Sequence, residues 1–200
     1  MVNMVELKKA ENPSFIGCWM LKNDTLCDAI VDFFEANRAS QIKGVAGYNK
    51  VNTSDKLSTD LTISPNELKG GSFKVISEYM DNLNKYYQEY IKQWPILKSF
   101  LSSVHIGPFN IQKYDDQGHF NTLHAERTAL DTQHRVLAWM TYLNDVSAGG
   151  QTEFPYFDLK ITPEKGKTLI WPGEWTHAHR GCIVKKGPKY IITGWMHFPE

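Results

Sequence analysis

Beyond Phe100 the chain breaks into short runs rich in β-branched and aromatic residues: Phe109 to Tyr114, Arg135 to Leu143, Lys167 to Trp171, Cys182 to Lys185 and Lys189 to Phe198. Turn clusters divide them, among them Asp115-Asp116-Gln117-Gly118, Ala148-Gly149-Gly150 and Lys186-Gly187-Pro188. A chain punctuated this often cannot lay down long helices there, and many short strands at such spacing close into a sandwich or barrel. The first hundred residues follow a different period. From Asp24 to Ala36 the apolar residues Leu26, Ile30, Phe33 and Phe34 recur at helical spacing, with Asp24 or Thr25 as N-cap. From Phe73 to Trp94 a stripe of Ile76, Met80, Leu83, Tyr87, Tyr90 and Trp94 predicts the longest helix, which Pro95 ends. Ser40 to Gly71 reads as loops around a short strand near Asp60 to Ile63, placed to frame a substrate mouth. The expectation is one domain over residues 1–200. Residues 1–100 would supply mostly helical support and loops, and residues 101–200 a β-barrel core carrying the site, with the long helix outside one sheet.

Bulk properties narrow the class. Two hundred residues with 42% hydrophobic content suffice for one sizeable core. Lys plus Arg equals Asp plus Glu at 22 each, so bulk charge gives no reason to expect nucleic acid or an anionic membrane as partner. No run approaches the roughly 20 apolar residues of a membrane span, and Met1 to Ala10 lacks the apolar core of a secretory signal. Cys18, Cys27 and Cys182 are an odd, scattered set that fits packing roles in a reducing compartment, so the cytoplasm is the expected location. Nothing in the composition speaks to oligomeric state.

Seven histidines occur, and four sit in or beside two short motifs. In His124-Ala125-Glu126, strand geometry projects imidazole and carboxylate from one face, so both can reach one ion. His177-Ala178-His179 offers two further same-face imidazoles, and spacing alone does not choose between them. Two nitrogens and one oxygen on one face of an octahedral ion leave three positions open for oxidant and co-substrate. On a strand, Lys189, Ile191, Thr193 and Trp195 share a face, and a lysine aimed into a barrel needs an anion. His105, His119, His134 and His197 are assigned to structure or solvent, with His119 nearest the expected mouth.

Four segments together resemble a known family. Tyr114-Asp115-Asp116-Gln117-Gly118 through His124-Ala125-Glu126 resembles the Tyr-x-x-x-Gly…His-x-Asp signature of prolyl-4-hydroxylase-type iron(II)/2-oxoglutarate dioxygenases. Tyr142-Leu143-Asn144-Asp145-Val146, Gly149-Gly150-Gln151-Thr152-Glu153-Phe154-Pro155 and His179-Arg180-Gly181 through Lys189-Tyr190 follow in the family's order and spacing. The resemblance implies a double-stranded β-helix (a jelly-roll or cupin-like barrel) and a metal set of His124, Glu126 and His179, where the family usually has Asp in place of Glu126. The ten-residue step to Lys189 and the following Gly181 favour His179 over His177, which is then placed beside the ligands or on the substrate side. It further implies Lys189 and Tyr142 at the far carboxylate of 2-oxoglutarate and Tyr114 near its iron-binding end, with Thr193 and Trp195 lining the same pocket. The implied cofactors are Fe(II), 2-oxoglutarate and O₂, and the implied reaction is hydroxylation of a substrate C–H bond. The substrate would be a prolyl residue of a peptide or protein, or a small molecule. The alternative is a cupin-like metal-binding protein without oxygenase activity, which would use the same His and Glu residues but not Lys189.

Overall fold

The computed structural model describes residues 13–46, 51–101 and 103–198. Met1 to Ala10, read above for a signal core, lies outside them. Among the described residues no helix is long and apolar enough to cross a membrane. In chain order the elements are β1 (Gly17–Met20), α1 (Asp24–Ala36), β2 (Ile42–Lys43), β3 (Lys56–Leu57), β4 (Thr59–Ile63) and α2 (Lys74–Gln93). There follow β5 (His105–Ile106), β6 (Phe109–Tyr114), β7 (His119–His124), β8 (Arg135–Tyr142), β9 (Ala148–Gly149) and β10 (Thr152–Phe154). The last are β11 (Leu159–Ile161), β12 (Lys167–Pro172), β13 (His179–Gly181), β14 (Val184–Lys186) and β15 (Lys189–His197).

These strands form a double-stranded β-helix. The larger sheet runs β1-β12-β8-β15-β6-β4-β2, with β5 also paired to β15, and the smaller runs β11-β10-β13-β7-β3, all pairs antiparallel. A period of two divides each strand of the larger sheet between two cores. On the outer face Ile111, Trp139, Ile170 and Ile192 pack under the two helices, which contribute Ile30, Phe34, Ile76, Tyr79 and Leu83. On the inner face Tyr114, Ala138, Met140, Tyr142, Leu169, Trp171 and Ile191 meet Phe154 and Val184 inside the barrel. Each fully buried large apolar side chain contributes about 1.5–3 kcal/mol, so the outer core alone is enough to hold both helices on the sheet. One polar contact also crosses it: the Tyr79 hydroxyl lies 2.8 Å from Thr141 Oγ1, and Tyr79 is 1% exposed.

Helix α1 matches the span read from the sequence, and its cap is Asn23, whose side chain accepts from the Leu26 N–H. The stripe on α2 is rotated from expectation. Tyr79 and Ile91 are buried, while Met80 and Trp94 are only half-buried. The stripe's centre lies between the rows i, i+3 and i, i+4, where a tyrosine can bury its ring and still find Thr141 for its hydroxyl. The short strand expected near Asp60 is β4, and it has neighbours. The described residues of the first hundred include four short strands beside the two helices, and β4 pairs with β6 in the wall of the barrel, Asp60 opposite Gln112.

Candidate metal centre and co-substrate pocket

Strand β7 ends at His124, and the following Glu126 and Arg127 N–H groups donate to Gly173 O, which ties this loop to the turn after β12. Strand β13 begins at His179, directly opposite His124 across the β13–β7 pair. The fold thereby brings His124, Glu126 and His179 together: one ligand atom from each lies within 4.8 Å of the others. The two imidazoles are oriented alike. His124 Nδ1 lies 2.9 Å from Thr122 O and His179 Nδ1 lies 3.0 Å from His177 O. A carbonyl oxygen only accepts, so each Nδ1 carries the proton and each Nε2 turns a lone pair inward. His179 Nε2 then stands 3.3 Å from Glu126 Oε1, two electron-rich atoms facing one another, and Trp195 Nε1–H donates to the other oxygen, Oε2, at 2.7 Å. A divalent cation at the focus of these three groups satisfies all of them, and two imidazole nitrogens with one carboxylate suit iron(II).

The surroundings hold the same charge state. Burial opposes ionisation of Glu126, but a proton carried by His179 or His124 in the absence of a cation, together with the Trp195 N–H, outweighs it and brings the carboxyl down to about 2. Burial and the neighbouring His179 lower His124 to about 4, so its Nε2 is an unprotonated ligand at neutral pH. Aromatic rings set the imidazoles in place: Phe120 stacks on His124 at 3.8 Å, and Phe154 and Trp171 flank His179 at 5.3 and 5.0 Å.

His177 takes no part through its side chain. Its ring is 4% exposed, with Nε2 2.8 Å from Ser14 O and Nδ1 3.0 Å from Thr176 Oγ1. What it gives the site is its main-chain carbonyl, so the expectation of a side chain beside the ligands or towards substrate is corrected. The three-residue helical turn Trp175–His177 breaks the extended alternation that would have pointed both imidazoles the same way.

Deeper in the barrel, β15 points Lys189, Ile191, Thr193 and Trp195 to the inner side, with Lys189 opposite Tyr114 and Ile191 between Gln112 and Tyr142. Lys189 is 2% exposed. Its ammonium donates to Gly150 O at 3.1 Å and lies 4.4 Å from the centre of the Tyr114 ring, and it has no carboxylate partner among the described residues. Burial lowers it to about 8. Gly150 has φ +73°, and a Cβ there would stand 3.3 Å from Lys189 Cδ, so glycine both permits the turn and leaves room for the lysine. The Tyr142 hydroxyl is 2.6 Å from Thr152 Oγ1 and reaches Ile161 O at 3.2 Å, and the Thr193 hydroxyl donates to Trp139 O at 2.8 Å. Tyr114 donates to Gln112 Oε1 at 2.7 Å.

Sequence reasoning missed Lys56, Asp60 and Gln112. All three are buried, with Lys56 Nζ 2.6 Å from Asp60 Oδ2 and Gln112 Nε2 donating to the same oxygen at 3.1 Å. The available signal was Asp60 in the alternating stretch Asp60-Leu61-Thr62-Ile63, where the apolar positions face the helices and Asp60 must face the barrel.

Comparison with known proteins agrees with this geometry. Residues 109–197 match the 2OG-Fe(II) oxygenase superfamily. Prolyl 4-hydroxylase subunit alpha-1 of Homo sapiens is 35% identical over 75 residues, which is 34% of this chain and 14% of that protein. Probable prolyl 4-hydroxylase 9 of Arabidopsis thaliana is 29% identical over 107 residues, 42% of this chain and 36% of that one. The chain therefore covers well under half the length of these relatives. Among solved structures, a Pseudomonas putida prolyl-4-hydroxylase superposes with TM-score 0.70 at 13% identity, covering 94% of both chains. A Trichoplax adhaerens prolyl hydroxylase in complex with a hypoxia inducible factor oxygen degradation domain peptide fragment does so with TM-score 0.71 at 15% identity, over 92% of this chain and 84% of that one. The matched segment holds the His124, Glu126, His179 and Lys189 constellation, so residues 109–197 are similar to the 2OG-Fe(II) oxygenase superfamily, with prolyl 4-hydroxylases among the similar proteins.

Proposed function

We propose that the protein is an iron(II)- and 2-oxoglutarate-dependent hydroxylase acting on prolyl residues of a peptide or protein. The observation that carries this reading is Lys189, a buried ammonium with no counter-anion among the described residues, on the barrel interior that also holds the His124, Glu126 and His179 donors. A buried charge of this kind is costly unless a ligand supplies the opposite sign, and a dicarboxylate does so. The cupin-like alternative has no use for it.

His124, Glu126 and His179 would hold iron(II), which when bound supplies O₂ activation coupled to oxidative decarboxylation of 2-oxoglutarate. The protein's own part is positional. Lys189 binds the far carboxylate, Trp195 orients Glu126, and Met140, Leu169, Trp171 and Phe154 form an apolar wall that keeps water from the reacting groups. No side-chain nucleophile or general base is needed.

Peptide substrates are supported by the rim as well as by the relatives. The ends of β7, β10 and β12 and the start of β13 meet at the metal end of the barrel, and there Tyr156 and Trp175 are 62% and 69% exposed with ring centres 6.5 Å apart. An exposed aromatic pair beside the centre suits an extended chain that lies across the mouth. The test is anaerobic titration of iron(II) with 2-oxoglutarate, followed by succinate release and mass spectrometry of proline-containing peptides. A chelate charge-transfer band and an oxygen-atom mass gain dependent on both iron and co-substrate are expected. Metal binding with no response to 2-oxoglutarate would refute the reading.

A further inference from the structure

Tyr114 faces the inner side of the barrel beside Lys189, where a phenol hydroxyl would ordinarily be taken as a donor to a bound carboxylate. Its hydrogen bonding assigns it otherwise. The hydroxyl has one proton, and it donates to Gln112 Oε1 at 2.7 Å. Gln112 is not free to reverse its amide: Nε2 donates to Asp60 Oδ2 at 3.1 Å, and a reversed amide would set its oxygen against a carboxylate oxygen. Asp60 in turn is fixed as an acceptor by Lys56 Nζ at 2.6 Å on Oδ2 and by the Ser58 hydroxyl at 2.7 Å on Oδ1. The direction of every proton in the row therefore follows from one buried ion pair.

We propose that Asp60 is a positioning residue of the co-substrate pocket: acting through the Gln112 amide, it commits the only proton of Tyr114 inward, so that Lys189 holds the far carboxylate of 2-oxoglutarate without help from the Tyr114 hydroxyl. This rests on the reading that the pocket takes 2-oxoglutarate. Tyr114 serves the site with its ring, 4.4 Å from the Lys189 ammonium, and offers the pocket only lone pairs. Burial, with the Asp60 charge as a further cause, pushes the Tyr114 hydroxyl well above its ordinary pKa, which keeps that one proton in place at all working pH. The arrangement also explains why a salt bridge sits inside the barrel, where a pair of apolar residues would serve stability as well. Of the facing pair Lys189 and Tyr114, only the lysine then offers the co-substrate a proton.

Two measurements test it. The first needs neither iron nor co-substrate: the tyrosine Fermi doublet in ultraviolet resonance Raman spectra, taken as wild type minus Tyr114→Phe, should show a hydroxyl that donates. In Asp60→Asn, whose amide can accept or donate, the corresponding difference should shift towards a weaker donor. The second is a double-mutant cycle on 2-oxoglutarate affinity, measured anaerobically on the iron(II)-loaded protein. Removing the Tyr114 hydroxyl should cost about tenfold more in the Asp60→Asn background than in wild type, because only there can the proton turn to the ligand. Should Asp60→Asn fail to fold with Lys56 left unpaired, Gln112→Met frees the same proton while the ion pair stays intact, and the same coupling is expected. An acceptor-type doublet in wild type, or equal costs of Tyr114→Phe in both backgrounds, overturns the proposal. Lys189→Ala separates this from the functional reading: if 2-oxoglutarate affinity is unchanged in that variant, the pocket assignment itself is wrong, whatever the doublet shows.

Discussion

The indole N–H of Trp195 donates to Glu126 Oε2 at 2.7 Å, which couples the last long strand of the barrel to a loop 69 residues earlier and leaves Oε1 as the oxygen turned towards His179. The Arg135 guanidinium lies over the face of the Trp195 ring, 3.8 Å from its centre, so the indole has little freedom to swing away. Trp195→Phe keeps the ring and loses the donor. Iron(II) affinity should fall by about 10- to 100-fold, as is usual when a hydrogen bond to a metal ligand is removed. Competition with a chelating indicator measures it, and an unchanged constant would show that Glu126 needs no such support.

The two neighbouring histidines should separate cleanly. His179→Ala removes an inward-facing imidazole and should abolish tight metal binding. His177→Ala keeps the carbonyl that accepts from His179 Nδ1, so the metal should stay. Its cost should be to stability, about 1–3 kcal/mol for the Ser14 and Thr176 contacts and the buried ring, read as a lower denaturation midpoint in urea.

Lys189 should weaken the ligand-free fold. Its folded pKa of about 8 lies below the ordinary 10.5. Below about pH 8 the lysine is charged both folded and unfolded, and the native state carries the full burial cost. Between about pH 8 and 10.5 the native state gives up the proton first, so stability rises with pH through that window and the cost is gone above it. Lys189→Met should accordingly be more stable than wild type by about 2–3 kcal/mol at neutral pH, the difference closing in that alkaline window. Its 2-oxoglutarate affinity should drop by a factor of about 30 or more. Chemical denaturation of both proteins across pH, without co-substrate, checks the sign. A less stable variant at pH 7 would mean that a native anion already pairs with the lysine.

Trp175 is exposed, so Trp175→Ala should leave the fold and the 2-oxoglutarate complex intact while raising KM for a peptide substrate by about 5- to 30-fold. A variant with an unchanged peptide KM would remove the aromatic rim from substrate recognition.

Much of the fold was legible because the period of the sequence changes where the architecture does. The runs Phe109 to Tyr114 and Lys189 to Phe198 become β6 and β15 because alternation there separates a helix-facing core from a barrel-facing one. The strands that escaped notice, β1, β3, β7, β10 and β13 among them, are two to six residues long or mostly polar, and their partners are far away in sequence. Such strands exist by pairing, and local propensity says little about them. Lys189 stands out because residue chemistry and strand period coincide on β15, whereas Glu126 lies past the end of β7, where a bend rather than strand alternation turns its carboxylate towards His179. His177 could not be read, since a single turn of helix reorients it. Asp60 and Lys56 could not because an ion pair four residues apart reads as a solvated surface until the chain is seen to carry both inside.

Both metal-facing imidazoles are held by the main-chain oxygen of the residue two positions before them, Thr122 for one and His177 for the other. No side-chain substitution at Thr122 or His177 can delete those acceptors. The tautomer of each imidazole is thus written into the path of the backbone, and the side chains at 122 and 177 are left to other duties, Thr122 bonding to Asp55 and His177 to Ser14 and Thr176.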